Sequence, residues 1–320
     1  MIQAAIFGLG RWGKNLVNSV QNQSSILRFK HAVVQTPEKY QEFANEKNLL
    51  VTSDPKVVLS DPEIQMIVLA TPHNLHVQQI RGSAEAGKHV FCEKPLALNL
   101  SDALQAVSYC EKANVLLGVG HDKRFWPSMQ AVKSIVQSGA LGDLIHIEGI
   151  FTNENLKNFQ TSWRDQAENV PGGSLTATGI HVLDAFTNLM GEVHSVEGIY
   201  RQMNQGAQDT MALLYEFKTG ATGLLSSPRP APVFWRIHVF GSLGNVEARG
   251  PTEIHISMAG KPSETRTFEN HNALQFQLEA FATAIVENKP YLISPNEIIR
   301  TVRAFEATVK SIDTHQKITL

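Results

Sequence analysis

The run Phe91-Cys92-Glu93-Lys94-Pro95 sets an ammonium beside a carboxylate, in front of a rigid imino ring. It follows Ala86-Gly87-Lys88-His89-Val90 and reads as the end of a buried strand entered from a helix. Strand ends of this kind are where an open α/β sheet presents groups to a ligand. Far upstream, Gly8-Leu9-Gly10-Arg11-Trp12-Gly13 stands between an apolar run, Ile2–Phe7, and a helical stretch. In such a turn the first glycine permits the tight bend and the second lets the backbone approach a pyrophosphate. The third lets helix and strand pack closely, with the helix N-terminus facing the phosphates. Together the two motifs predict a nicotinamide dinucleotide held against a lysine that moves a proton. Near a nicotinamide cation and in a low dielectric, the Lys94 ammonium is disfavoured and becomes a usable acid/base. Glu93 is placed to hold it, and Cys92 reads as a small buried residue at the strand's last position.

Other residues extend this reading. An acid about 20 residues beyond the glycines would accept from an adenosine-ribose 2′-hydroxyl. Gln35-Thr36 stands there instead, uncharged, with Glu38 and Lys39 nearby. This leans toward NADP, with NAD as the alternative if Glu38 takes the acid's place. Thr71-Pro72-His73-Asn74 follows Met66–Ala70 and reads either as a wall of the cofactor groove or as a plain capping turn. His73 and His76 have a spacing that suits a metal, but no third ligand is near in sequence, so no metal is expected. Later, Gly172-Gly173 leads into a helix carrying His181, with Asp184 three residues on and able to orient its ring. Trp163-Arg164 and Arg124 are candidates for shaping the pocket around it.

These groups need elements to position them. Apolar runs at Ala4–Phe7, His31–Val34, Leu50–Thr52, Ile64–Ala70, His89–Cys92 and Val115–Val119 alternate with amphipathic stretches. That alternation predicts right-handed crossovers and a doubly wound parallel sheet over residues 1–122. The rest, 123–320, opens on a helix ended by Gly139. It continues with strand-like runs joined by glycine turns, a helix over Gly179–Met190 and two closing helices. The second part therefore reads as an α+β domain with a large, mostly antiparallel open sheet.

Across its 320 residues the chain is 42% hydrophobic and 18% charged, with net charge −2. That balance describes a globular protein with no electrostatic footprint for nucleic acid or a membrane surface. Two cysteines are too few for a disulfide framework, and no signal peptide or membrane span is readable. A reduced cytoplasmic protein is expected.

The chain resembles the Gfo/Idh/MocA oxidoreductases over essentially its whole length. The resemblance rests on Gly8–Gly13, residues 70–76 (Ala-Thr-Pro-His-Asn-Leu-His) and residues 86–97 (Ala-Gly-Lys-His-Val-Phe-Cys-Glu-Lys-Pro-Leu-Ala). Further support comes from residues 138–142, Trp163-Arg164, and Gly172-Gly173 with His181 and Asp184. It implies a Rossmann domain followed by a domain whose open sheet builds homodimers or homotetramers. It also implies NAD(P)-dependent redox chemistry on a small-molecule sugar, cyclitol or dihydrodiol, with Lys94 as the proton-transfer group and His181 as its partner. Many members carry a cis peptide before the matching proline. On this basis Gly8, Gly10, Arg11, Trp12, Gly13, Gln35, Thr36, Ala70, Thr71, Pro72, Asn74, His76, Glu93, Lys94, Trp163 and Arg164 are expected at the cofactor. Lys94, Arg124, Thr178, His181 and Asp184 are expected at the substrate. One position departs from the pattern: Ala177 stands where many members have an Asp four residues before the histidine. A dehydrogenase is the main expectation. The rivals are an NAD-dependent glycosidase and a non-catalytic cofactor sensor, and Ala177 favours the latter slightly.

Overall fold

The computed structural model of the protein describes residues 1–153, 169–202, 209–228 and 231–320. The chain divides into two units, Met1–Asp122 with Asn272–Ile299, and Lys123–His271 with Arg300–Leu320.

The first unit is built on six parallel strands: β1 (Ile2–Phe7), β2 (Leu27–Val33), β3 (Leu50–Thr52), β4 (Met66–Leu69), β5 (His89–Glu93) and β6 (Leu117–Gly120). Their order is β3-β2-β1-β4-β5-β6, so the sheet reverses direction of winding between β1 and β4. Every residue of β4 is buried, as a strand covered on both faces requires. The strands are those the apolar runs predicted. The amphipathic stretch between β2 and β3 is divided into a 3₁₀ turn, Pro37–Tyr40, and a helix, Gln41–Lys47. A short helix at Pro55–Leu59 was not anticipated; the Asp54 carboxylate caps it by accepting from Lys56 N at 2.9 Å.

The helix Ala273–Glu287 lies within the stretch that the sequence assigned to the second domain, yet it belongs to the first unit. Packing explains its place. Phe281 stacks edge-on against Phe91 of β5 at 5.6 Å and against Tyr291 at 5.2 Å. Gly118 of β6 makes the room, since a Cβ there would come within 2.7 Å of the Phe281 ring.

The second unit carries a nine-stranded sheet in the order β14-β13-β12-β11-β7-β10-β9-β8-β15. In chain order these strands are β7 (Leu144–Thr152), β8 (Val193–Gln202), β9 (Asp209–Phe217), β10 (Thr222–Ser226), β11 (Phe234–Gly241), β12 (Gly244–Arg249), β13 (Glu253–Met258), β14 (Glu264–Thr267) and β15 (Ile318–Thr319). All pairings are antiparallel except β10 with β7, so β7 joins a hairpin array on each side. The helix Ile180–Met190 covers one face of the sheet. Gly149 of β7 lets it approach, because a Cβ there would stand 2.7 Å from the Phe186 ring. A π-helical turn, Leu175–Gly179, precedes this helix; turns of this kind recur at functional sites.

Candidate active site

The glycine turn shows why each glycine is needed. Gly8 has φ +94°, and a Cβ on it would lie 2.7 Å from Ala70 O. A Cβ on Gly13 would overlap the Gly8 carbonyl. Gly10 differs from both, since, its chain neighbours apart, no atom of the described residues lies within 4 Å of the place its Cβ would occupy. That position therefore borders open space at the start of the helix Arg11–Val20, which has no side-chain cap and no acid in its first turn. The first-turn N–H groups of a helix that opens on such a cradle fit a dinucleotide pyrophosphate. One turn into that helix, the Lys14 ammonium sits over the rings of Tyr40 (5.5 Å) and Phe43 (5.1 Å). Sequence reasoning passed over this contact, which ties down the segment after Gln35 and Thr36. Gln35 is exposed and Thr36 half-buried.

At the end of β4, Ala70 N donates to Phe7 O at 2.8 Å, and the Thr71 hydroxyl lies 2.6 Å from Gln79 Oε1. Asn74 is exposed. His76, expected at the cofactor, has no accessible surface. Its Nδ1 lies 3.0 Å from Pro95 O and 3.2 Å from Leu96 O, and its Nε2 lies 3.1 Å from Thr71 O. The imidazole thus braces the Thr71 loop against the turn after Lys94. Burial holds its pKa below the usual histidine value, opposed by the three carbonyls.

Lys94 is half-buried, and its peptide bond to Pro95 is cis. Glu93, the last residue of β5, is buried with its carboxyl pushed up to about 7. Desolvation is the main cause; Asp122 adds to the rise, and Trp12 and Lys94 oppose it. The Trp12 indole eases the Glu93 charge without a well-formed bond, because neither its N–H nor Glu93 Oε1 completes one. Cys92 is fully buried and its thiol lies well above the usual range for the same reason, so it is no nucleophile.

In the second unit, Arg124 and Asp184 are joined to each other. Arg124 Nε donates to Asp184 Oδ2 at 2.9 Å and Nη2 to Oδ1 at 2.8 Å, and both side chains are buried. The two residues expected at the substrate form a fork-to-fork pair that fixes the helix bearing His181. His181 is buried and meets Phe151 edge-on at 5.9 Å. Phe151 contacts Trp235 at 5.4 Å, Trp235 contacts Trp126 at 5.3 Å, and the Lys123 ammonium sits 4.1 Å from the Trp126 ring centre. This aromatic wall was missed in the sequence. Phe151 and Trp235 are far apart in the chain and meet only because β7 and β11 pair them in register. Thr178, also expected at the substrate, donates to Ser174 O at 3.1 Å and lies 3.1 Å from Ser227 Oγ. Its neighbour Thr176 bonds Pro171 O. Ala177 between them is half-exposed and is the open one of the three. Trp163 and Arg164 lie outside the described residues. Among the described residues no group of three or more His, Cys, Asp or Glu side chains is placed to hold a metal, and no helix is long and apolar enough to cross a membrane.

Six parallel strands in this order, with an open glycine cradle at the reversal point, define a dinucleotide-binding architecture. A family model described as "Oxidoreductase family, NAD-binding Rossmann fold" matches residues 2–121, and one described as "GFO/IDH/MocA C-terminal domain" matches residues 129–247. The chain belongs to the GFO/IDH/MocA oxidoreductase family, and its cofactor is NAD or NADP. It is 28% identical to scyllo-inositol 2-dehydrogenase (NAD(+)) of Bacillus subtilis, over 92% of this chain and 89% of that one. It is 29% identical to myo-inositol 2-dehydrogenase of Thermotoga maritima, over 73% and 70% respectively. Its fold matches that of levoglucosan dehydrogenase in complex with NADH and levoglucosan, with TM-score 0.90, 21% identity and 99% of each chain covered.

Proposed function

We propose that the protein is a dehydrogenase or reductase acting on a secondary alcohol or ketone of a sugar or cyclitol, with Lys94 as general acid/base. The observation that carries this reading is the placement of Lys94. It stands half-buried at the end of β5, on the sheet edge that bears the glycine turn, before a turn whose carbonyls His76 holds. The nicotinamide, when bound, supplies the hydride acceptor or donor. Lys94 Nζ takes the hydroxyl proton in the oxidising direction and returns it in the reducing one. His181 positions the carbinol or relays that proton. Gly8, Gly10, Arg11, Trp12 and Gly13 hold the pyrophosphate, Gln35 and Thr36 flank the adenosine ribose, and the segment from Ala70 to Pro72 with Asn74 walls the groove. The inositol and levoglucosan dehydrogenases among its relatives direct the choice of substrate class.

The test is turnover with NAD+ and NADP+ against inositols, anhydrosugars, aldoses and dihydrodiols. Reduced cofactor should accumulate in step with substrate loss. Cofactor binding without turnover on any compound would favour the cofactor-sensing reading. Glycoside cleavage without accumulated reduced cofactor would favour the glycosidase.

We also propose that the outer face of the second sheet joins copies of the chain. Leu214 and Leu224 are paired across β9 and β10 and are 59% and 36% exposed, with Ile199 at 61% nearby on β8. Light scattering should show a dimer or tetramer that Leu214→Glu dissociates.

A further inference from the structure

Glu93 sits in a chamber built by several elements of the first unit. It ends β5 and is paired in register with Gly120 of β6. A Cβ on Gly120 would stand 2.6 Å from Glu93 Oε1, so the carboxyl occupies the space that glycine leaves. Trp12, from the glycine turn, presents its indole to the carboxyl. Asp122, two residues past Gly120, is also buried and opposes a charge on Glu93; Lys94 favours one. The Cys92 thiol on the same strand is a further titratable neighbour. Glu93 is 5% exposed, and its Oε1 has no hydrogen-bond partner among the described residues. Such a carboxyl stands near the balance point between its two forms, because burial and a second carboxylate disfavour the charge while a neighbouring ammonium favours it.

The chamber lies on the C-terminal edge of the sheet, where dinucleotides bind, between the pyrophosphate turn and Lys94, the residue proposed to work at the nicotinamide. The two redox forms of that ring differ by one positive charge. We infer that Glu93 is a specificity-determining residue for the cofactor's redox state: its carboxylate favours the cationic oxidised ring, and its neutral acid does not. The inference rests on the cofactor assignment and extends it. Because the Glu93 carboxyl is pushed up to about 7, the change falls within the neutral range. Above that pH the oxidised form gains relative affinity; below it the preference fades.

The experiment is titration of the full-length protein with NADH or NADPH by fluorescence, and with NAD+ or NADP+ by competition, from pH 5.5 to 8.5. In the wild type the ratio of the reduced-form Kd to the oxidised-form Kd should rise roughly tenfold across the range, the effect of one nearby charge in a partly screened site. Glu93→Gln should make the ratio independent of pH. Asp122→Asn, which removes the opposing carboxylate, should move the midpoint to lower pH. Lys94→Met, which removes the favourable ammonium, should move it to higher pH. A flat wild-type ratio, or an unchanged step in Glu93→Gln, overturns the inference. Should Glu93→Gln fail to fold, midpoints unmoved by both Asp122→Asn and Lys94→Met overturn it instead. Failure of the wild type to bind either redox form would count against the cofactor assignment itself, a distinct outcome.

Discussion

The candidate residues of the two units are held by different means. In the first unit, polar side chains are fixed against main chain or against glycine. His76 reaches three carbonyls, Glu93 fills the gap at Gly120, and the cradle at Gly10 is bare backbone. In the second unit, side chains fix one another. Arg124 pairs with Asp184, Thr178 lies against Ser227, and His181 meets Phe151 within a chain of rings. A site framed by backbone tolerates substitution of most neighbours but not of its glycines. A site framed by side-chain pairs is sensitive to the loss of either partner.

Five substitutions break or sharpen this contrast, in order of expected effect. Gly10→Val should abolish cofactor binding by filling the cradle while leaving the fold intact, since, its chain neighbours apart, no atom of the described residues lies within 4 Å of the added Cβ. Titration calorimetry reads the first effect and thermal melting the second; equal binding by variant and wild type would refute the cradle. Gly13→Val, where the Cβ meets Gly8 O, should fail in stability as well. Lys94→Ala should lower turnover by about 10²- to 10⁴-fold, the range of a positioned acid/base. Cofactor affinity should stay within a few-fold. Wild-type turnover in this variant would leave Lys94 a binding role only.

Asp184→Leu should destabilise the second unit by about 3–5 kcal/mol, because the Arg124 guanidinium would remain buried and unpaired. Urea unfolding checks this, and Arg124→Met combined with Asp184→Leu should recover much of the loss. If the double variant is as unstable as the single one, the pair is not what holds this part of the unit. Gln35→Asp should produce the smallest change. It should shift preference from NADP toward NAD by about 1 kcal/mol, the scale of an exposed charge interaction. An unaltered ratio of the two affinities would place Gln35 away from the ribose.

The contrast also explains what could be read in the chain. The first unit's strands and glycine turn were legible because each depends on a contiguous run: apolar residues for a buried strand, glycines where a turn requires them. The second sheet was legible as strands, but not in its pairing. Nothing in Thr222–Ser226 announces that it will run parallel to β7. The aromatic wall around His181 was hidden for that reason, since Phe151 and Trp235 become neighbours only through strand register. His76 could be picked out by type, but its role depends on where the turn after Lys94 places two carbonyls. The return of Ala273–Glu287 to the first unit was hidden too; a ring at Phe281 and a glycine at 118 carry no local mark of their meeting.

Both cysteines of the chain, Cys92 on β5 and Cys110 on the helix Leu100–Lys112, lie in the first unit. They are 0% and 2% exposed, and burial raises both thiols, Cys110 to about 12. An alkylating reagent therefore meets no accessible thiolate in the folded chain and reacts when β5 or that helix opens. The rate of modification by a maleimide or iodoacetamide is then a native-state clock for the first unit alone, to which the cysteine-free second unit contributes no signal. Slowing of that clock by NADH would measure how much the cofactor tightens the fold around it, without a substrate or an engineered probe.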